Sequence, residues 1–329
     1  MKVDFIQQSK FQVTPFLLLL LVAFPIHLWS QSSTDRELTS NYETEYVIVL
    51  VIDGVRFSES FGDTSCTYIP NLCNELREQG TLYTNFRATA PKTTTNAGHT
   101  AITTSVNQRI SNSGRNFPRH PSMFNYLMKE QDVDKSKLWV ISSKGKLSIL
   151  GNTRNRKWRN KYQPSVYCGK GGNNADYVND RATWNKVLHV VDTYQPKLML
   201  INLLAPDVQG HGNNWEGYLN AIKNSDAYAL ELWNRIQENE VMKDKTTLII
   251  TNDHGRNEDG HKDGFISHGD GSEGNRHIFL LGLGPDFKSN YVVEKQRELI
   301  DIAPTIAHLL GFEMPTARGV IMEEMLKNN

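Results

Sequence analysis

The sequence predicts an α/β protein built on a mainly parallel central sheet with helices on both faces. Three observations carry that expectation. Continuous aliphatic and β-branched runs at Tyr46–Ile52, 197–204 and Thr246–Thr251 read as strands buried on both sides. Segments with helical spacing of apolar residues fall between them, as crossover helices in a parallel sheet require. Each run ends at or beside an acidic residue, Asp53, Asp207 or Asp253, and ligands of such sheets gather beyond the carboxyl ends of the strands.

The chain has 329 residues, 39% hydrophobic and 22% charged, which fits one large or two small domains. No internal repeat, low-complexity tract or linker follows residue 45, so residues 46–329 read as a single domain. Basic and acidic residues balance at 36 each, which gives no electrostatic footprint for nucleic acid or for an anionic membrane surface.

At the N-terminus, Lys2 and Lys10 precede an apolar core over 16–24, followed by Pro25 and a polar stretch from Ser30. The core is shorter than the ~20 residues that cross a bilayer and matches a signal-peptide h-region. Residues 1–30 therefore read as an export signal cleaved near residue 30, with 31–45 as an N-terminal extension and a retained membrane anchor as the alternative. Export puts the mature chain in the periplasm or outside the cell, with no membrane span after cleavage. Cys66 and Cys73 either bridge a short loop or stay thiols like Cys168, and none has zinc-knuckle spacing. Oligomeric state is not legible.

Taken in order, the first strand ends at Asp53-Gly54. Residues 70–79 carry a helical pattern stopped by Gly80, and 81–89 read as the next strand. Then comes Pro91-Lys-Thr-Thr-Thr-Asn-Ala-Gly-His-Thr100, three threonines ahead of a small-residue run that can open a helix. One hydroxyl there would stand among unpaired backbone N–H groups, a place for an anion. Threonine is a weak nucleophile until a base or metal activates it, so ligands elsewhere decide whether this loop has chemistry. Residues 123–130 read as a helix and 138–142 as a strand. The segment 142–173 is polar, basic and glycine-containing, with Lys144 and Lys146 near its start, and reads as a substrate-facing loop. A helix over 174–194, the strand over 197–204, a helix over 218–237, the strand Thr246–Thr251, a strand over 277–283 and helices over 299–310 and 320–326 complete the pattern.

Asp207-Val-Gln-Gly-His211 sets a carboxylate and an imidazole four positions apart, in a turn that Gly210 lets bend tightly. Asp253-His254 repeats the pairing after the next strand, and His268 lies in the flexible Gly264-Phe-Ile-Ser-His-Gly-Asp-Gly271. Mixed carboxylate and imidazole donors suit zinc, manganese or iron, and nitrogen donors favour zinc. A single Asp-His pair is more often a cap or a surface turn. Six such donors at strand ends, with a hydroxyl, are enough for two neighbouring metal sites.

At these residues the chain resembles the alkaline phosphatase superfamily, and within it the type I phosphodiesterase and nucleotide pyrophosphatase branch. The matching pieces are Val51-Ile-Asp-Gly54, Thr95-Asn-Ala-Gly-His-Thr-Ala-Ile-Thr-Thr-Ser105, Ala205-Pro-Asp-Val-Gln-Gly-His211, Thr251-Asn-Asp-His-Gly255, Ser267-His-Gly269 with Leu281-Gly-Leu-Gly-Pro285, and Asp301-Ile-Ala-Pro-Thr305. The resemblance implies an α/β/α sandwich, a single catalytic domain over 46–329 and an exported two-metal hydrolase of small phosphate esters, either a phosphodiesterase or a phosphatase. It implies Asp207, His211 and His268 around one ion, usually zinc, and Asp53, Asp253, His254 and the nucleophilic hydroxyl around the other. His277 competes with His268 for a place, but opens a strand and reads as structural.

Counting back from Gly98-His99, the resemblance places the nucleophile at Thr95, with Thr94 the runner-up and Thr93 a loop hydroxyl. A phosphothreonine would form and then be hydrolysed by water. The implied phosphoryl contacts are the Asn96 backbone N–H at the helix start, Asn112, and Lys144 and Lys146. The two lysines favour a monoester dianion; the plain alternative is that they are solvated loop lysines. Sulfatase chemistry needs a Cys/Ser-x-Pro-x-Arg context, where this chain has Thr95-Asn-Ala-Gly-His99. A cofactor-independent phosphoglycerate mutase would be larger and cytosolic, and a catalytically silent metal-binding protein of this fold should have lost some of the ligands.

Overall fold

The computed structural model describes residues 41–170 and 176–327. The expected export signal over 1–30 and the expected extension as far as residue 40 lie outside the described residues. What is described belongs to one compact unit, Leu38–Asn329.

Among the described residues nine strands form one sheet: β1 (Tyr46–Ile52), β2 (Gly80–Arg87), β3 (Leu138–Ser142), β4 (Ser165–Cys168), β5 (Leu198–Leu203), β6 (Thr246–Thr251), β7 (His277–Leu283), β8 (Tyr291–Val293) and β9 (Arg297–Glu298). Their order is β4-β3-β5-β1-β6-β7-β2-β8, with β9 also on β2. All neighbours are parallel except β7, which runs antiparallel to β6 and β2. The mainly parallel α/β expectation is borne out. Four adjacent parallel strands, β3, β5, β1 and β6, thus end side by side.

Helices cover both faces. Val47, Val49 and Val51 of β1 point into a core shared with α1 (Thr95–Thr104), α2 (Met123–Gln131) and α7 (Ile302–Leu310). Ile48, Leu50 and Ile52 point into the opposite core, shared with α3 (Asp180–Tyr194) and α5 (Trp215–Glu238). The period-two alternation of a strand feeds both layers, which is why β1 has no polar position. The remaining helices are the short α4 (Ala205–His211) and α6 (Glu273–Arg276). Among the described residues no helix is long and apolar enough to cross a membrane.

Four local expectations are corrected. Residues 70–79 form no continuous α-helix: Leu72–Leu76 is wound as a wide π turn and Arg77–Gln79 as a tight 3-10 turn. The Asp226 carboxylate takes the Asn71 and Leu72 N–H groups, and a Cys66–Cys73 disulfide ties the segment back, so tertiary contacts override the local pattern. Asp207 to His211 is the helical turn α4 rather than a tight bend, so the two ligands share one face at i and i+4. The segment 142–173 is more than a loop: Gly145–Gly151 packs Leu147, Ile149 and Leu150 into the core and Ser165–Cys168 joins the sheet. Residues 320–326 make a single 3-10 turn, because Val320 N–H bonds Asp301 Oδ1 and Met322 N–H bonds Thr305 Oγ1 instead of carbonyls of their own segment.

Candidate active site

The carboxyl ends of β3, β5, β1 and β6 deliver Lys144, Asp207, Asp53 and Asp253-His254 to one spot. Asp53 follows β1 directly, Asp207 sits in the first turn of α4 just beyond β5, and Asp253 and His254 follow β6. Asp53, Asp253 and His254 are fully buried, and Asp207 nearly so. Ligand atoms of Asp53, Asp253 and His254 lie within 4.8 Å of one another, as do those of Asp207, His254 and His268. His254 belongs to both groups. His211 Nε2 lies 3.0 Å from His268 Nε2 and 3.4 Å from Asp207 Oδ1, at the more open side of the cluster.

The donor set fits divalent metal. His254 Nδ1–H donates to the Gly255 carbonyl at 2.9 Å and His268 Nδ1–H to the Thr93 carbonyl at 2.8 Å, so each ring turns Nε2 into the cluster, the arrangement of imidazole metal ligands. Asp253 Oδ2 and His254 Nε2 are buried without a hydrogen-bond partner, which in a folded interior calls for an occupant. Burial pushes His254 down to about 3, so its imidazole is neutral at physiological pH. Burial alone would raise the Asp207 carboxyl, but Lys144 and His268 more than offset it and hold it well below the usual carboxylate range.

Thr95 opens α1, its side chain buried in the site. Lys144 Nζ donates to Thr95 Oγ1 at 3.1 Å, to Asp53 Oδ1 at 2.8 Å and to Asp207 Oδ2 at 2.5 Å. Lys144 is 1% exposed, so it is no solvated loop lysine; burial opposes its charge, and Asp207, Asp53 and Asp253 more than restore it. Thr94 is the N-cap of α1 and its buried hydroxyl has no partner, whereas Thr93 Oγ1 bonds Asn275 Oδ1. Gly98 lets the helix close on the site: a Cβ there would lie 2.3 Å from the Asp253 carbonyl oxygen.

Asn112 Oδ1 accepts the Asn96 backbone N–H at 3.0 Å and Lys146 Nζ at 3.2 Å. The Asn96 N–H is therefore engaged by the Asn112 side chain. Burial, then the Lys144 charge, pushes Lys146 down to about 8. His277 lies apart from the cluster, with Nε2–H on the Thr84 carbonyl and its ring stacked on Phe57.

Three further residues shape the site. Asn202 Nδ2 donates to Asp53 Oδ2 at 2.9 Å while its Oδ1 accepts from Ser142 Oγ. Its signal was a lone amide in the apolar run Leu198–Leu203. His99, at i+4 from Thr95, bonds the Thr95 carbonyl and lies 3.3 Å from Asp253 Oδ2. Arg256 is buried against Asp207. His99 stood inside the quoted run Thr95–Ser105 without a role of its own, and Arg256 had no signal beyond its nearness to Thr251–Gly255.

The family model described as Metalloenzyme superfamily matches residues 78–314. A 2,3-bisphosphoglycerate-independent phosphoglycerate mutase of Gracilaria tenuistipitata var. liui is 32% identical over 137 residues, 40% of this chain and 25% of that protein. A phosphopentomutase of Herpetosiphon aurantiacus is 29% identical over 150 residues, 45% of this chain and 34% of that protein. The matches thus span about a quarter to a third of those relatives. Among solved structures, the alkaline phosphatase PafA superposes with a TM-score of 0.65 at 13% identity, covering 86% of this chain and 99% of that one, which is a likeness of fold.

Proposed function

This chain belongs to the metalloenzyme superfamily, the alkaline phosphatase-like group, and on that premise we propose that it is an exported two-metal hydrolase of small phosphate esters with Thr95 as nucleophile. The observation that carries this reading is the Thr95 hydroxyl at the start of α1, 3.1 Å from a buried ammonium that also bonds Asp53 and Asp207 of the carboxylate and imidazole cluster. Asp207, His211 and His268 would hold one divalent ion, and Asp53, Asp253, His254 and Thr95 the other. Zinc suits the three imidazoles best, ahead of manganese or iron. Bound ions supply Lewis acidity and a clamp on the attacking and leaving oxygens.

The chain's own groups do the rest. Lys144 Nζ favours the deprotonated Thr95 oxygen and so raises its nucleophilicity. Attack in line with the leaving oxygen forms the Oγ–P bond and breaks the P–O ester bond, giving a phosphothreonine and a free alcohol, the proton lost from Thr95 being balanced by the one the departing oxygen takes up from water. Asn112, with its Oδ1 fixed by the Asn96 N–H and Lys146, presents its amide N–H to non-bridging oxygens, and Lys146 adds a charge-assisted donor. Water then attacks phosphorus and Thr95 Oγ departs, so two displacements retain configuration.

Two buried lysines favour a monoester dianion over a diester. Turnover of a nitrophenyl phosphate measured beside its bis-nitrophenyl diester tests this, and a large excess of diester turnover would sink the monoester preference. The mutase relatives support a second reading, in which a substrate hydroxyl rather than water accepts the phosphoryl group. Under that reading inorganic phosphate release stays far below transfer to an added sugar alcohol. The Cys66–Cys73 disulfide supports an oxidising compartment, in line with export to the periplasm or beyond.

A further inference from the structure

We infer that Arg256 is the positioning residue that assembles the Asp207, His211 and His268 half of the metal centre, and that without it this half fails while the other survives. The inference rests on the two-metal reading above. Arg256 is fully buried, and its guanidinium donates in three directions. Nη1 bonds Asp207 Oδ1, Nε bonds the Phe265 carbonyl, and Nη2 bonds the Ile266 carbonyl at 2.7 Å. Those carbonyls belong to the turn Gly264–Ile266 that leads directly into His268.

The third ligand segment touches the same group. Gly210 precedes His211 in α4, and a Cβ on it would lie 2.6 Å from Arg256 Cζ, so α4 packs against the face of the guanidinium. One rigid planar group therefore meets the ligand Asp207, the helical turn carrying His211 and the loop carrying His268. Among the described residues its hydrogen bonds reach neither Asp53, Asp253 nor His254.

Two effects on metal affinity oppose each other. The positive charge competes with a divalent ion for Asp207, while the fork fixes three ligand segments that α4 and a glycine-rich loop would otherwise leave loose. Outer contacts that orient metal ligands typically change affinity about 10- to 100-fold in favour of binding. Both Asp207 oxygens already face a cation, Oδ1 Arg256 and Oδ2 Lys144, and R256K keeps the positive charge while losing the fork, so that variant separates orientation from charge competition. Orientation wins, and it needs a fork: a lysine ammonium keeps the charge but cannot bond two carbonyls and a carboxylate in one plane.

The test is calorimetric titration of the metal-stripped full chain with zinc, with far-UV circular dichroism to verify folding. Wild type, R256K, R256Q and H268A are compared. Wild type should bind two ions; R256K and R256Q should each keep one at wild-type affinity and weaken the other by about 10- to 100-fold. H268A should weaken the same ion, and R256K/H268A should weaken it by less than the product of the two single effects, because part of what Arg256 positions is already gone. Equal weakening of both ions, unchanged binding, or tighter binding overturns the inference. R256K retains the buried charge and carries the test where R256Q does not fold. Wild-type chain that binds no zinc overturns the two-metal reading itself, a result distinct from two wild-type ions that ignore Arg256.

Discussion

Thr95 Oγ1 lies 3.1 Å from Lys144 Nζ, which also bonds Asp53 and Asp207, and the proposed mechanism makes this threonine the nucleophile. Thr95→Ala should lower kcat by about 10³-fold or more in zinc-saturated enzyme, whereas Thr94→Ala should cost less than about tenfold; steady-state kinetics on a nitrophenyl ester separate them. Lys146 gives the pH dependence. Burial and Lys144 hold it at about 8, so its cation is present below that pH and lost above it. KM for a monoester should rise above about pH 8 in wild type, and K146M should raise KM at neutral pH and abolish that limb. The linkage sign is the reverse of a salt-bridged lysine. With its folded pKa below the unfolded 10.5, the unfolded chain binds more protons between the two values, and the contribution of Lys146 to stability grows as pH rises through that window.

At the scale of elements, the site is a consequence of strand order. The apolar runs and their acidic ends were legible because a two-sided buried strand is apolar over most of its length and turns acidic just beyond the sheet. Adjacency of β3, β5, β1 and β6 was not, since it depends on crossover packing rather than on any one stretch, and with it went the depth of Lys144 and the contacts of Asn202 and Arg256. The helix expected over 320–326 fails for a similar reason: Asp301 and Thr305, not local carbonyls, take its N–H groups. Close docking of α1 on the end of β6 needs Gly98 to have no side chain. Gly98→Ala should push the helix off Asp253, lower stability by about 1–3 kcal/mol in thermal or urea unfolding, and weaken zinc binding at Asp253 and His254.

Across the whole molecule the proposed ions would link metal to stability, because β1, β5, β6, α4 and the loop carrying His268 each place a donor beside the cluster. Chelation of the zinc-loaded chain should lower Tm, and zinc should restore it, with about 2.7 kcal/mol per site at free zinc 100 times Kd. An unchanged Tm after verified metal removal would mean the ligands are held without an ion. The proposed mechanism requires the phosphoryl group to pass through Thr95. Acid quenching of zinc-loaded enzyme during turnover of a nitrophenyl phosphate, followed by peptide mapping, measures that directly. One phosphoryl group on Thr95, appearing before inorganic phosphate and fading as substrate is exhausted, is the predicted result. Phosphate on Thr94, or product release with no phosphoprotein at any quench time, would contradict it.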